Sequence, residues 1–203
     1  YNGSDVSSDI YMTKNYLIFK DTNNNLKVLK KDGTSLINIY KFNTNEDFYN
    51  VYTTSNKFLI TIVNNSTQTV KACVWEEGAT SLTCENNAYW AGVSTAPNGT
   101  FDASITFPFP AYKILKVENV TNVSQGGGTL YAIDPSNLNS KINLGNVLAN
   151  FILFAIGLGD NILLSGLDMK NNQSDIFFTN LSQPNSLKQI TNTINKNEFP
   201  LWF

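Results

Sequence analysis

Four stretches of this chain share one pattern: a strand-like run, a polar turn, then a serine that leads into a second strand-like run. The first is Lys27-Val28-Leu29-Lys30-Lys31-Asp32-Gly33-Thr34-Ser35-Leu36-Ile37-Asn38-Ile39. The second is Ala72-Cys73-Val74-Trp75-Glu76-Glu77-Gly78-Ala79-Thr80-Ser81-Leu82-Thr83-Cys84. The third runs from Leu130-Tyr131-Ala132-Ile133-Asp134-Pro135 to Ser140-Lys141-Ile142, and the fourth from Ile176-Phe177-Phe178-Thr179-Asn180 to Ser186-Leu187-Lys188. The anchoring serines, Ser35, Ser81, Ser140 and Ser186, recur at intervals of 46, 59 and 46 residues. A period of about 40–50 residues with several strands per unit marks a propeller blade. The expected fold is therefore all-β, a small β-propeller of about four blades in a single domain over residues 1–203. Four unrelated hairpins in a β-sandwich remain the alternative, because turn signals recur there too.

Each unit reads as four strands. In the second they fall at 48–53, 57–63, 69–75 and 81–85; in the fourth at 147–154, 161–166, 175–179 and 187–191. The run from Val147 to Ile156, broken by Asn150, is too short to span a bilayer and reads as two buried strands around a turn. The longer second interval points to an insertion in the third unit, within 98–128, which holds Pro108, Pro110 and Gly126-Gly127-Gly128. That stretch is expected to be a surface excursion, dispensable for folding and able to contact a partner. The first unit has no room for an inner strand at the same offset. The C-terminal segment Glu198-Phe199-Pro200-Leu201-Trp202-Phe203 is expected to supply it, closing a ring beside residues 15–21.

Composition narrows the chemistry. The 14 basic residues are all lysines, the net charge is −2, and there is no histidine. Without a basic stripe or arginine forks, nucleic-acid binding is not expected. Without histidine, the commonest general base and metal ligand are missing. No catalytic residue, cofactor or metal site is expected, and no membrane-spanning segment. Asparagine, abundant in runs such as Asn23-Asn24-Asn25, suits turns better than strand or helix interiors.

Several constellations invite a chemical reading. Cys73 and Cys84 flank the Gly78-Ala79 turn symmetrically, so a hairpin there sets them opposite each other, and a disulfide is expected. Two cysteines so paired fit an oxidising compartment. Asp21-Thr22-Asn23-Asn24-Asn25 opens like a calcium loop, with Asp32 in the twelfth position. Leu26 stands where such a loop needs glycine, so a polar hairpin turn is expected. Glu76-Glu77 reads as a solvated turn. Trp75, Trp90 and Trp202 could line a sugar or peptide groove or, more commonly, fill the packing between blades.

The fourth unit adds a resemblance. Ser174-Asp175-Ile176-Phe177-Phe178-Thr179-Asn180-Leu181, Leu187-Lys188-Gln189-Ile190-Thr191-Asn192 and Glu198-Phe199-Pro200-Leu201-Trp202-Phe203 together resemble the TolB-type β-propeller repeat. That repeat runs from a D-I-Y-V strand through L-R-Q-L-T-N to P-x-W-S; Lys188 takes the basic position here and Phe203 the last serine. The first unit shares only the turn, with Lys31-Asp32-Gly33. The resemblance implies a propeller and leaves function open, since a fold does not specify activity.

These observations favour an extracytoplasmic module (secreted, periplasmic or at the cell surface) that binds a protein or polymer partner through a propeller face. A carbohydrate-binding or carbohydrate-active propeller, or the accessory propeller of a larger enzyme, is the alternative.

Overall fold

The computed structural model describes residues 6–94, 112–121, 126–147, 151–158, 160–168, 172–193, 196 and 198, with the backbone alone over 151–158 and at 168. Among the described residues sixteen strands form four separate four-stranded antiparallel sheets, and each sheet uses four strands consecutive in the chain. The first holds β1 (Tyr11–Met12), β2 (Tyr16–Lys20), β3 (Asn25–Lys30) and β4 (Leu36–Lys41). The second holds β5 (Glu46–Thr53), β6 (Lys57–Asn64), β7 (Thr69–Glu76) and β8 (Thr83–Asn86). The third holds β9 (Tyr89–Ser94), β10 (Lys113–Glu118), β11 (Gly128–Asp134) and β12 (Asn137–Val147). The fourth holds β13 (Phe151–Leu158), β14 (Asn161–Asp168), β15 (Gln173–Asn180) and β16 (Lys188–Gln189). Among the described residues no helix is long and apolar enough to cross a membrane.

Alternation along each strand explains why these sheets stack. Side chains point to opposite faces with period two, and in β6 both faces carry buried apolar residues. Phe58, Ile60 and Ile62 join Ile18, Leu26, Val28, Ile39 and Phe42 of the first sheet in one core cluster. Leu59, between them, joins Ala88 and, from the third sheet, Trp90, Ile114 and Ile133 in another. The third sheet is shared in the same way. Ile114 faces the second sheet, whereas Leu115 and Val117 face Ile162, Leu164 and Phe177 of the fourth. The first strands of successive sheets lie side by side, β1 against β5, β5 against β9 and β9 against β13.

The repeat anchors occupy equivalent places. Ser35, Ser81 and Ser186 sit just ahead of the fourth strand of their sheets, and Ser140 lies inside β12, which starts earlier than its counterparts. The β3–β4 and β11–β12 ladders both shift register, at Leu26/Lys27 and Leu130/Tyr131. Asparagine serves the turns: of the six described non-glycine residues with positive φ, five are Asn24, Asn87, Asn119, Asn172 and Asn185. Asparagine tolerates that left-handed backbone because its short amide bonds locally.

Three expectations need correction. The segment 98–128 is not a single surface excursion. It contains β10, whose Ile114, Leu115 and Val117 are fully buried, so that part is core strand. It also takes in Gly128, the first residue of β11. A Cβ there would lie 2.5 Å from Val117 Cγ1, so the glycine permits a close approach between neighbouring strands. Residues 98–111 and 122–125 lie outside the described residues. Second, the first sheet has its own first strand. The edge of β2 that the repeat assigns to segment 198–203 carries residues 6–12, through Tyr11↔Ile18, Met12↔Leu17 and the bridge Val6↔Asp21. Residues 196 and 198 bond instead to the backbone of Ser174 in the fourth sheet, and 199–203 lie outside the described residues. Third, the first strand of the fourth sheet begins at Phe151. Val147 ends β12, and residues 148–150 lie outside the described residues.

Candidate binding cleft

Two turns from different sheets face each other across an open cleft of about 810 Å³. One wall is the β5–β6 turn, Thr54 to Lys57, with Glu76 at the end of β7. The other is Tyr112 and Lys113 at the start of β10 and the β11–β12 turn at Asp134, Pro135 and Ser136. Local chemistry builds both walls. Thr54 N donates to Lys57 O at 3.0 Å, and Lys57 N donates to Thr54 Oγ1 at 3.1 Å, which closes a tight hairpin. The Asp134 carboxylate accepts from Ser136 N at 2.9 Å and Ser136 Oγ at 2.7 Å, a side-chain-capped turn. Those two bonds hold the Asp134 carboxyl below its ordinary range.

Charge in the cleft is mixed. Lys57 Nζ donates to Glu76 Oε1 at 2.7 Å, between residues paired directly across β6 and β7. Lys113 Nζ sits 5.6 Å from the centre of the Tyr112 ring. Tyr112 OH donates to Asp160 Oδ1 at 2.9 Å, and that bond, ahead of burial, raises the phenol above its ordinary value. The lining offers ammonium and carboxylate groups, the hydroxyls of Ser55 and Ser136 and the amide of Asn56. Such a surface can hydrogen-bond and ion-pair an extended polar ligand. The described part of the third sheet's long β9–β10 connection returns at Tyr112, on the rim.

A second, smaller cleft of about 440 Å³ lies between edge strand β8 and the third sheet. Cys73 and Cys84 are directly paired across β7 and β8 and joined by a disulfide, as the hairpin symmetry predicts. Their Cα atoms are 4.0 Å apart, the close spacing of a non-hydrogen-bonded pair. Cys73 is fully buried and Cys84 exposed, so the bond ties an exposed edge strand to the core. Lys116 crosses the same cleft to pair with Glu85 of β8, and with Glu118 at 3.1 Å; Lys141 pairs with Glu118 at 2.6 Å.

The remaining sequence candidates serve packing, turns and ion pairs. Trp75 and Trp90 are packing residues. Trp75 packs on Tyr16 and Phe58 and donates to Ala79 O, while Trp90 donates to Cys73 O between the second and third sheets. Trp202 lies outside the described residues. Asp21 is the polar hairpin turn expected, with Oδ1 accepting from Asn23 N and Asn25 N and Oδ2 paired to Lys27 at 2.8 Å. Asp32 caps its own turn through Thr34. Glu76 and Glu77 diverge, to Lys57 and to Asn15. Sequence reasoning missed the cleft itself. The turn chemistry of Asp134-Pro135-Ser136 is visible in the chain, but nothing in it says that this turn meets Thr54 to Lys57.

No protein-family model matches the chain, and no curated protein matches it. Solved structures do. Oligopeptidase B from Trypanosoma brucei, solved with covalently bound antipain, aligns with a TM-score of 0.51 at 12% identity, over 92% of this chain and 27% of that one. An oligogalacturonate lyase in complex with manganese aligns with a TM-score of 0.33 at 10% identity, over 89% of this chain and 62% of that one. A luciferin-regenerating enzyme aligns with a TM-score of 0.29 at 11% identity, over 92% and 76%. The chain thus spans little more than a quarter of the first protein's length. The first likeness shows an all-β, propeller-like arrangement of sheets.

Proposed function

We propose that this chain is an extracytoplasmic interaction module whose four sheets are blades of a propeller of TolB type, and that it binds a protein or polymer partner at the turn end of its second and third sheets. The observation that carries the reading is the open polar cleft between two rigid hairpin turns. Binding residues concentrate on loops held by a stiff scaffold, and both walls here are closed by their own hydrogen bonds. The disulfide supports an oxidising compartment. The propeller reading is supported by the sheet-on-sheet stacking and by the alignment with oligopeptidase B.

The test is a cross-linking pull-down from native envelope extract with four proteins. These are the unaltered chain, Ser55→Trp and Ser136→Trp, which fill the cleft from exposed wall positions, and Asn65→Trp on the β6–β7 turn at the other end of the second sheet. A partner kept by Asn65→Trp and lost by both cleft variants is the expected result. The same catch from all four would remove the cleft from consideration.

A second reading has its own support. The alignment covers nearly all of this chain but 27% of an enzyme, so the chain would serve as the accessory all-β part of a larger enzyme. Finding a catalytic domain in the full open reading frame would favour it.

A further inference from the structure

Three buried carboxylates in the first three sheets each have a lysine. Asp21 pairs with Lys27, Glu46 with Lys71 at 2.7 Å, and Glu118 with Lys116 and Lys141. Asp175 in β15 is equally buried, 3% exposed, and no lysine pairs with it among the described residues. Among the described residues its Oδ2 accepts from neutral amide donors, Gln173 Nε2 at 2.9 Å and Gln189 Nε2 at 3.2 Å. Its Oδ1 is buried with no hydrogen-bond partner.

The neighbouring side chain repeats the pattern. Gln173, two residues earlier on the same face of β15, is 2% exposed. It spends its Nε2 donor on Asp175 and on Asn192 Oδ1, at 3.2 Å, and leaves Oε1 buried without a partner. Two bare acceptor oxygens therefore belong to side chains bonded to each other. The residue directly across the ladder from Asp175 is Gly166, which puts no side chain on that face. A buried charge without a counter-charge is strongly unfavourable, and a buried acceptor without a donor adds to the cost. Additional hydrogen-bond donors could satisfy the oxygens but would leave the charge uncompensated. A cation does both.

We propose that Asp175 and Gln173 bind a hard, oxygen-preferring metal cation, with calcium the physiological candidate, at the end of the interface between the third and fourth sheets. Calcium takes carboxylate and amide carbonyl oxygens together and fills the rest of its shell with water or backbone oxygens. The site lies beside the β14–β15 turn, whereas the proposed partner cleft is built from the β5–β6 and β11–β12 turns. The two can therefore fail independently. The ion would satisfy the buried polar face of β15, so its role is structural.

The test uses the whole chain, stripped with EDTA and then titrated separately with calcium, magnesium and sodium. Thermal unfolding and calorimetric binding are both followed. Calcium at saturation should raise Tm by about 5–10 °C and bind with a stoichiometry of one. In Asp175→Asn both effects should vanish, and the variant should unfold in EDTA at or above the Tm of the EDTA-treated parent, because it has lost an uncompensated buried charge. A magnesium or sodium response in place of calcium, lost in the same variant, identifies a different hard cation in the same site and upholds the proposal. If Asp175→Asn does not fold, Gln173→Met replaces it and should weaken calcium binding at least tenfold. No response to any of the three cations, or binding that survives both substitutions, overturns the proposal.

Discussion

Asp21, at the end of β2, and Asp175, in β15, are 1% and 3% exposed, yet the chain around them compensates their charge in opposite ways. Asp21 is served by residues within six positions of it. Asn23 and Asn25 donate their backbone N–H groups, Asn25 adds its side chain, and Lys27 supplies the positive charge. Burial alone would raise the Asp21 carboxyl, but the bonds from Asn25, Lys27 and Asn23 outweigh it and hold the group well below the ordinary carboxylate range. Asp175 receives donors from Gln173 close by and Gln189 on the neighbouring strand, and both are neutral. The lesson extends to the sheets. The first two carry self-contained polar devices, a capped turn in one and a disulfide hairpin in the other. The fourth leaves a polar requirement open at its interface.

The largest effect expected within this comparison comes from Asp21→Ala. It strips Asn23 N and Asn25 N of their acceptor and leaves Lys27 without its carboxylate, so a loss of about 3–4 kcal/mol is expected in urea unfolding. A change below about 1 kcal/mol would mean that the turn does not depend on its carboxylate. Next comes the disulfide. Replacing Cys73 and Cys84 together with alanine should lower stability by about 2–3 kcal/mol, since the closed loop is short. Intact mass before and after reduction, with alkylation, checks the bond itself; two alkylatable thiols in the unreduced protein would refute it.

Acid should separate the regions further. Asp21, Glu46 and Glu118 all have carboxyls held below their ordinary values. Burial, the largest influence on each, acts upward and is outweighed by bonds such as that of Lys71 to Glu46 and those of Lys141 and Lys116 to Glu118. A depressed native value means that the unfolded chain binds protons first as pH falls. The stabilisation is complete above about pH 5 and drains away as pH drops below about 4. Urea midpoints measured down the pH scale should show that loss, with a shallower slope in Asp21→Asn. The smallest effect belongs to Asp175→Asn in EDTA, where urea unfolding should show no loss of stability. A loss as large as that of Asp21→Ala would erase the contrast between the two aspartates.

Much of this architecture could be read from the chain. The serine anchors found the fourth strand of every sheet, because a blade repeats its turn chemistry as well as its hydrophobicity. The cysteine pair was legible because a hairpin's register follows from its turn. The misplaced pieces share a cause. Residues 113–118 sit between Pro- and Gly-rich stretches, and the short run Ile114-Leu115 with Val117 looks unremarkable beside them; only burial on both faces makes it core. The repeat offset left the first unit no room for its own inner strand, yet Ser7 N donates to Lys20 O and residues 6–12 hold the β2 edge.

By itself, the sequence determined the four-strand reading of the second unit, the polar turns, the disulfide pairing and the exclusion of histidine chemistry. All of these follow from residues close together in the chain, where spacing dictates geometry. Tertiary structure alone decided which sheets face each other, and therefore that Thr54 to Lys57 confronts Asp134 to Ser136 across a cleft. It also decided that Asp175 would be buried with no lysine paired to it among the described residues, since burial and bonding at a site depend on residues far apart in sequence whose meeting no local pattern encodes.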